Sequence, residues 1–117
     1  VLLILDDEIE ICRMLQRTLR GGFDEVHVAT RGTDAEEVLR GRPVTHMIVD
    51  LFLGSEEPLG HELVRIWRDR YPHIRHVLVF TGSSVDERPH VYEGVDAVFG
   101  KPSGLRDLID TVLEARA

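Results

Sequence analysis

The sequence predicts an α/β fold built on one parallel sheet, because five short apolar runs alternate with stretches that carry apolar residues at helical spacing. The strand-like runs are Val1 to Leu5, Glu25 to Ala29, His46 to Val49, His76 to Thr81 and Ala97 to Gly100. Unbroken runs such as Val-Leu-Leu-Ile-Leu suit central strands buried on both faces, which a sheet covered by helices requires. A second observation is that four of these runs stop at residues with a common chemistry: Asp6-Asp7, Asp50, Thr81, and Lys101 just after Gly100. In open parallel sheets the carboxyl ends of the strands share one edge, where ligands bind, so the four ends make one site.

Each intervening stretch has its own signature. The first predicted helix carries Ile11, Cys12, Leu15 and Leu19 on one face, and the third carries Leu59, Leu63, Ile66 and Trp67. In the last, Leu105, Leu108, Ile109, Val112 and Leu113 form one apolar stripe with Arg106, Asp107, Asp110 and Glu114 off it, the pattern of a helix docked on a sheet. Gly21-Gly22, Gly41 to Pro43 and Tyr71-Pro72 supply turns after the first three helices. The weakest element is a fourth helix after Ser84, interrupted by Pro89 and ended by Gly94. Strand and helix thus alternate five times, with right-handed crossovers enforced by strand twist. No internal repeat or low-complexity tract is present.

Size and charge narrow the function. A chain of 117 residues predicts one domain with a real core. Hydrophobic residues at 43% and charged residues at 30% are ordinary for a soluble protein, and no apolar run approaches the roughly 18 to 20 residues that span a bilayer. A net charge of −7 argues against direct nucleic-acid binding, which needs clustered Lys and Arg. Cys12 stands alone, which excludes an internal disulfide and a Cys-based zinc site and fits a reducing cytoplasm. The chain opens on Val1 inside an apolar run, with no signal-peptide pattern, so the expectation is a domain excised from a longer protein whose output or sensor domain lies elsewhere.

Lys101 stands out by composition. It is the only lysine, while thirteen arginines fill every other basic position. Arginine is broad, planar and always charged, whereas lysine is a compact point charge on a flexible stem. Asp6, Asp7 and Asp50, with Glu8 nearby, would crowd like charge unless a cation neutralises it. Oxygen-only donors favour a hard ion, Mg²⁺ or Mn²⁺. A carboxylate beside such an ion can attack phosphorus and form an aspartyl-phosphate. The protein then has to position the group and spread charge over its oxygens, which the ammonium of Lys101 and the hydroxyl of Thr81 suit.

Plainer readings exist for each residue alone. Asp is common at helix caps and loop starts, Thr81 before Gly82-Ser83-Ser84 reads as a turn, and Lys101-Pro102 reads as the start of a helix. Their joint placement at strand ends favours a functional site. His73 and His76 have a metal-like spacing but no third ligand, the six histidines read as structural or surface residues, and Trp67 reads as packed. Other phosphate motifs fail. Gly94 to Ser103 has one residue too many between its glycines for a P-loop, and Pro follows its lysine. No Rossmann fingerprint follows the first strand. Haloacid-dehalogenase-type phosphatases place a second Asp two residues after the nucleophile, where this chain has Phe52.

Across essentially its whole length the chain resembles the receiver domain of bacterial two-component response regulators. The matching residues are Asp6-Asp7, Asp50, Thr81 and Lys101-Pro102, each after its own strand. The resemblance implies a flavodoxin-like, doubly wound five-stranded parallel sheet, (βα)5, in strand order 2-1-3-4-5. It implies that Asp50 takes a phosphoryl group from a histidine kinase or phosphotransfer protein. It also implies that Asp7 and Asp50 hold Mg²⁺ directly, Asp6 helps through water, the Phe52 carbonyl completes the metal shell, and Thr81 and Lys101 contact the phosphoryl group. The activity expected is self-catalysed phosphoryl transfer with slow autodephosphorylation at most, rather than enzymatic turnover. Phosphorylation would change the face formed by the fourth helix, fifth strand and last helix, through which a homodimer mate or a tethered output domain would read it. Phe52 and Ser83 flank the path of the hydrolytic water in that family.

Two departures are visible. The family's aromatic three residues before the lysine is Val98 here, with Phe99 one position late. The loop from Leu51 to Gly60 is about two residues longer than the family's, and its Glu56 and Glu57 add negative charge. The displaced aromatic, together with the Pro89-interrupted fourth helix, motivates an alternative, a phosphorylation-independent interaction module with the same pocket.

Overall fold

The computed structural model of the chain describes residues 1–82 and 92–116. Five strands, β1 (Leu2–Leu5), β2 (Val26–Ala29), β3 (His46–Val49), β4 (His76–Thr81) and β5 (Ala97–Gly100), form one parallel sheet in the order β2-β1-β3-β4-β5. Among the described residues there are four helices: α1 (Ile9–Leu19), α2 (Gly32–Gly41), α3 (Gly60–Arg70) and α4 (Leu105–Ala115). The last of these is the fifth predicted helix. The fourth predicted helix, with Ser84 and Pro89, lies outside the described residues, as does Ser83. β1 and β2 begin one residue later than predicted, within the usual uncertainty of element ends.

Alternation along the strands explains the unbroken apolar runs. Leu3 and Leu5 of β1 point to one face with Met47, Val49, Val77 and Val79, where α2 and α3 contribute Ala35, Leu39, Val64 and Trp67. Leu2 and Ile4 point to the other with Ile48, Leu78 and Phe80, where α1 and α4 contribute Cys12, Leu15, Leu19, Leu108 and Val112. Full burial of a side chain such as Leu108 stabilises the docked helix by about 1.5–3 kcal/mol.

α3 corrects the predicted stripe. Its buried residues are Gly60, Val64 and Trp67, whereas Leu59 and Ile66 are 40% and 46% exposed. The helical repeat runs from Gly60, because the first turn of α3 lies directly on the end of β3. A Cβ at Gly60 would overlap the Asp50 carbonyl and come within 2.7 Å of Val49 Cγ1. The Gly60 N–H donates to the Leu51 carbonyl at 2.8 Å, and Glu62 accepts from the Leu59 N–H at 3.2 Å.

The strand order fixes where a ligand can bind. From β1 the chain steps to β2 on one side and then places β3 on the other, so the order reverses between β1 and β3 and a crevice opens at their carboxyl ends. No helix among the described residues is long and apolar enough to cross a membrane.

Candidate functional site

Register brings the predicted residues together. Leu5 pairs with Val49, so Asp6 and Asp50 leave adjacent strands side by side, and the Asp50 N–H donates to the Leu5 carbonyl at 2.9 Å. Thr81 pairs with Gly100, and the Lys101 N–H donates to the Thr81 carbonyl at 2.8 Å, extending that ladder by one bond. The chain then turns sharply into α4. The Gly104 N–H donates to the Gly100 carbonyl at 2.7 Å, and a Cβ at Gly104 would lie 2.7 Å from that oxygen, so the corner requires glycine.

Lys101 is the hub. Its Nζ donates to Asp6 Oδ2 at 2.7 Å and to Asp50 Oδ2 at 3.0 Å, and lies 3.6 Å from Glu8 Oε1. The ammonium also sits over the Phe80 ring, 5.6 Å from its centroid. Its side chain is 11% exposed, and those of Asp6 and Asp50 are 4% and 7% exposed. The remaining carboxylate oxygens are held by the backbone: Asp6 Oδ1 accepts from the Glu8 N–H at 2.9 Å and Asp50 Oδ1 from the Phe52 N–H at 3.4 Å. Below the site the Cys12 thiol donates to the Asp6 main-chain carbonyl at 3.3 Å.

Burial dominates the electrostatics. It raises the Asp6 carboxyl to about 6, against the opposing pull of Lys101 and the Glu8 N–H. For Lys101, burial acts to lower the pKa, but the bonds and charges of Asp6 and Asp50 outweigh it and the ammonium is held above its usual value. Burial likewise raises the Cys12 thiol to about 11, which leaves it unreactive.

Asp7 and Glu8 are exposed and face a cleft of about 220 Å³, which they line with Asp50, Phe52, Gly82 and Lys101. Asp6, Asp7, Glu8 and Asp50 offer ligand oxygens all within 4.8 Å of one another. Four carboxylates cluster where one ammonium pairs with three of them, and every donor is oxygen, so the cluster fits a hard divalent cation. Phe52 is 50% exposed at the rim. Glu56 and Glu57 line a neighbouring cleft with Asp7 and Arg31. Thr81 is 1% exposed, and its Oγ1 is buried without a hydrogen-bond partner among the described residues, an orphan acceptor or donor at the strand end where a ligand oxygen would meet it.

Sequence reasoning placed Asp6, Asp7, Asp50, Thr81 and Lys101 at this edge, and all five lie there. It did not assign Glu8 to Lys101 or find Phe80 beneath the ammonium. The sheet's period of two held the clue for Phe80, which must share a face with Leu78 and so with α4. The same period separates Val98 from Phe99: Val98 packs on the α2 and α3 face, whereas Phe99 packs on the α1 and α4 face.

No protein-family model matches the sequence. Over 85 residues, 73% of the chain, it is 32% identical to an NtrX-like response regulator of Rickettsia typhi, and this match covers 18% of that protein. The chain therefore spans under a fifth of the length of the curated relatives it matches. Among solved structures, the CheY-like receiver domain from Methanospirillum hungatei JF-1 superposes with a TM-score of 0.82 at 24% identity, over 98% of this chain and 91% of that one. The Saccharomyces cerevisiae receiver domain of Ssk1, solved with the histidine phosphotransfer protein Ypd1, gives 0.76 at 20% identity, over 97% and 86%. Strand order and superposition give the chain the fold of response-regulator receiver domains, and over 73% of its length it is similar in sequence to NtrX-like response regulators.

Proposed function

We propose that the chain is a Mg²⁺-dependent phosphoacceptor switch of a cytoplasmic phosphorelay, with Asp50 as the acceptor. The observation that carries this reading is the convergence of Asp6, Asp50 and the only lysine within hydrogen-bond distance, although Lys101 lies 95 and 51 residues away from them in sequence. The buried Thr81 hydroxyl, without a partner among the described residues, adds to it.

An Asp50 oxygen attacks phosphorus as the bond from phosphorus to the donor's histidine nitrogen breaks, and the electron pair of that bond returns to the imidazole. Lys101 releases a carboxylate and donates to a phosphoryl oxygen, and the Thr81 hydroxyl donates to another. Asp6, Asp7, Asp50 and the Phe52 carbonyl would hold Mg²⁺, which supplies charge neutralisation to the transferring group. Satisfying Thr81 and drawing Lys101 inward biases an existing two-state equilibrium of the face that includes β4, β5 and α4. The donor is a histidine kinase or a phosphotransfer protein, the class of partner with which the Ssk1 receiver was solved. A second copy or a tethered output domain reads the altered face. The reaction is a single self-catalysed transfer followed by slow hydrolysis, without turnover of an external phosphoester.

A second reading, an interaction module that works without phosphate, is favoured by one observation: the aromatic Phe99 packs on the opposite sheet face from Val98, so it cannot swing from the Val98 position. Acetyl phosphate with Mg²⁺, followed by intact mass, separates the two. The switch predicts a labile adduct that needs Mg²⁺ and is lost in Asp50→Asn; the module predicts no adduct.

A further inference from the structure

The geometry points to Phe80 as a positioning residue that holds the Lys101 ammonium in place when a cation occupies the carboxylates. Lys101 Nζ has four neighbours among the described residues: Asp6, Asp50, Glu8 and the Phe80 ring. Two of its N–H groups donate to Asp6 and Asp50, and Glu8 adds an ion pair at 3.6 Å. All three of these carboxylates also belong to the cluster whose oxygens lie close enough to ligate a metal. Any cation bound there draws on the same oxygens that anchor the lysine. Among the described residues, the ring is the one contact the two do not share.

The ring is suited to this task. Phe80 is 2% exposed and is packed in the core face with Leu78, α1 and α4, so its plane is fixed independently of the site. The ammonium lies within the roughly 6 Å at which a ring face attracts a cation, and it is largely withdrawn from water, where such contacts are strongest. A flexible four-carbon stem released by its carboxylates would otherwise sample many rotamers. Phe80 neither touches a phosphoryl group nor the metal; it acts through Lys101.

This inference rests on the phosphoacceptor reading for its purpose, but its geometry is testable without phosphate. Lys101 is the only lysine, so protein labelled with ¹³C-lysine gives a single ε-methylene signal. Ring-current displacement of its protons in wild type, retained when Mg²⁺ is added and abolished in Phe80→Leu, is the expected result. Movement of the wild-type signal to the free-lysine position on adding Mg²⁺ would overturn the inference. Pentafluorophenylalanine at position 80 keeps ring shape while reversing its electrostatic face, and so separates packing from cation attraction. Phosphorylation by acetyl phosphate should slow about five- to tenfold with it, with the thermal midpoint largely unchanged. An unchanged rate would overturn the proposed role. If wild type takes no phosphate at all, the phosphoacceptor reading fails, and the ring-current comparison alone decides whether Phe80 holds the lysine.

Discussion

Replacing Lys101 by methionine should lower the stability of the cation-free protein by about 3 to 5 kcal/mol at pH 8, the cost of leaving partnered buried charges without their counter-ion. The structure supplies the reason for that size. Methionine keeps much of the buried stem but removes two charge-assisted bonds, at 2.7 and 3.0 Å, from carboxylates only 4% and 7% exposed. Such bonds contribute about 1.5–3 kcal/mol each, and two of them, about 3–6 kcal/mol, overlap that range. Against the roughly 5–15 kcal/mol of an ordinary domain the variant stays folded but weakened.

The deficit should depend on pH in a definite direction. In wild type the Asp6 carboxyl sits at about 6, above its ordinary 3.8, so the folded state binds the proton more tightly. Its contribution is therefore fully present below 3.8 and is lost as pH rises through 6, at a cost of about 3 kcal/mol at neutral pH. Lys101 is what restrains that rise. Without it the Asp6 pKa climbs further, the proton stays on at higher pH, and the penalty of the substitution shrinks between pH 8 and pH 5. Mg²⁺ at about 100 times its dissociation constant should return roughly 2.7 kcal/mol if it binds only the folded variant. Urea unfolding followed by fluorescence of the buried Trp67 measures all three quantities. A deficit under about 1 kcal/mol at pH 8, or one that does not change with pH, would refute the placement of Lys101 as counter-ion to Asp6 and Asp50.

Three further predictions follow from other parts of the molecule. Gly60→Ala should cost about 1–3 kcal/mol by overpacking against the Asp50 carbonyl, and should weaken Mg²⁺ binding measured by titration; native stability in that variant would mean the α3 start does not set the Asp50 backbone. His46 has its pKa lowered chiefly by burial, against its bond to the Ala115 carbonyl, with smaller downward contributions from neighbouring His76, the N-terminus and Arg75. The unfolded chain takes up that proton first, so its contribution is full above pH 6.5 and is lost on acidification below it. Because Asp6 slopes the other way, the test is the difference between wild type and His46→Gln in unfolding midpoints from pH 5 to 8, and a constant difference contradicts it. Phe52 is half exposed at the rim of the cleft, and Phe52→Asn should shorten the lifetime of the acyl phosphate by admitting water; an equal half-life removes that role.

Strand ends were legible in the sequence because buried parallel strands must be apolar throughout and the chemistry begins where the apolar run stops. Asp6, Asp50, Thr81 and Lys101 announce themselves in that way. The stripe on α3 was misread because pattern reading gives weight to large apolar residues, and Gly60 makes its contact by lacking a side chain. Which acid pairs with the lysine was equally hidden: Asp6 is buried and Asp7 exposed because the turn after β1 bends back on Asp6 Oδ1, a backbone bond that no spacing reveals. Phe80 looked like one more core residue, and only the sheet register puts its ring beneath Lys101.

The most direct measurement is to trap the acceptor itself. Protein treated with acetyl phosphate and Mg²⁺ is reduced with borohydride, which converts an aspartyl-phosphate to homoserine, and the peptides are sequenced. Homoserine at position 50 alone, absent when Mg²⁺ is withheld and in Lys101→Met at matched exposure, is the predicted result. Homoserine at Asp6 or Asp7, or at no aspartate, would contradict the assignment of Asp50 as phosphoacceptor.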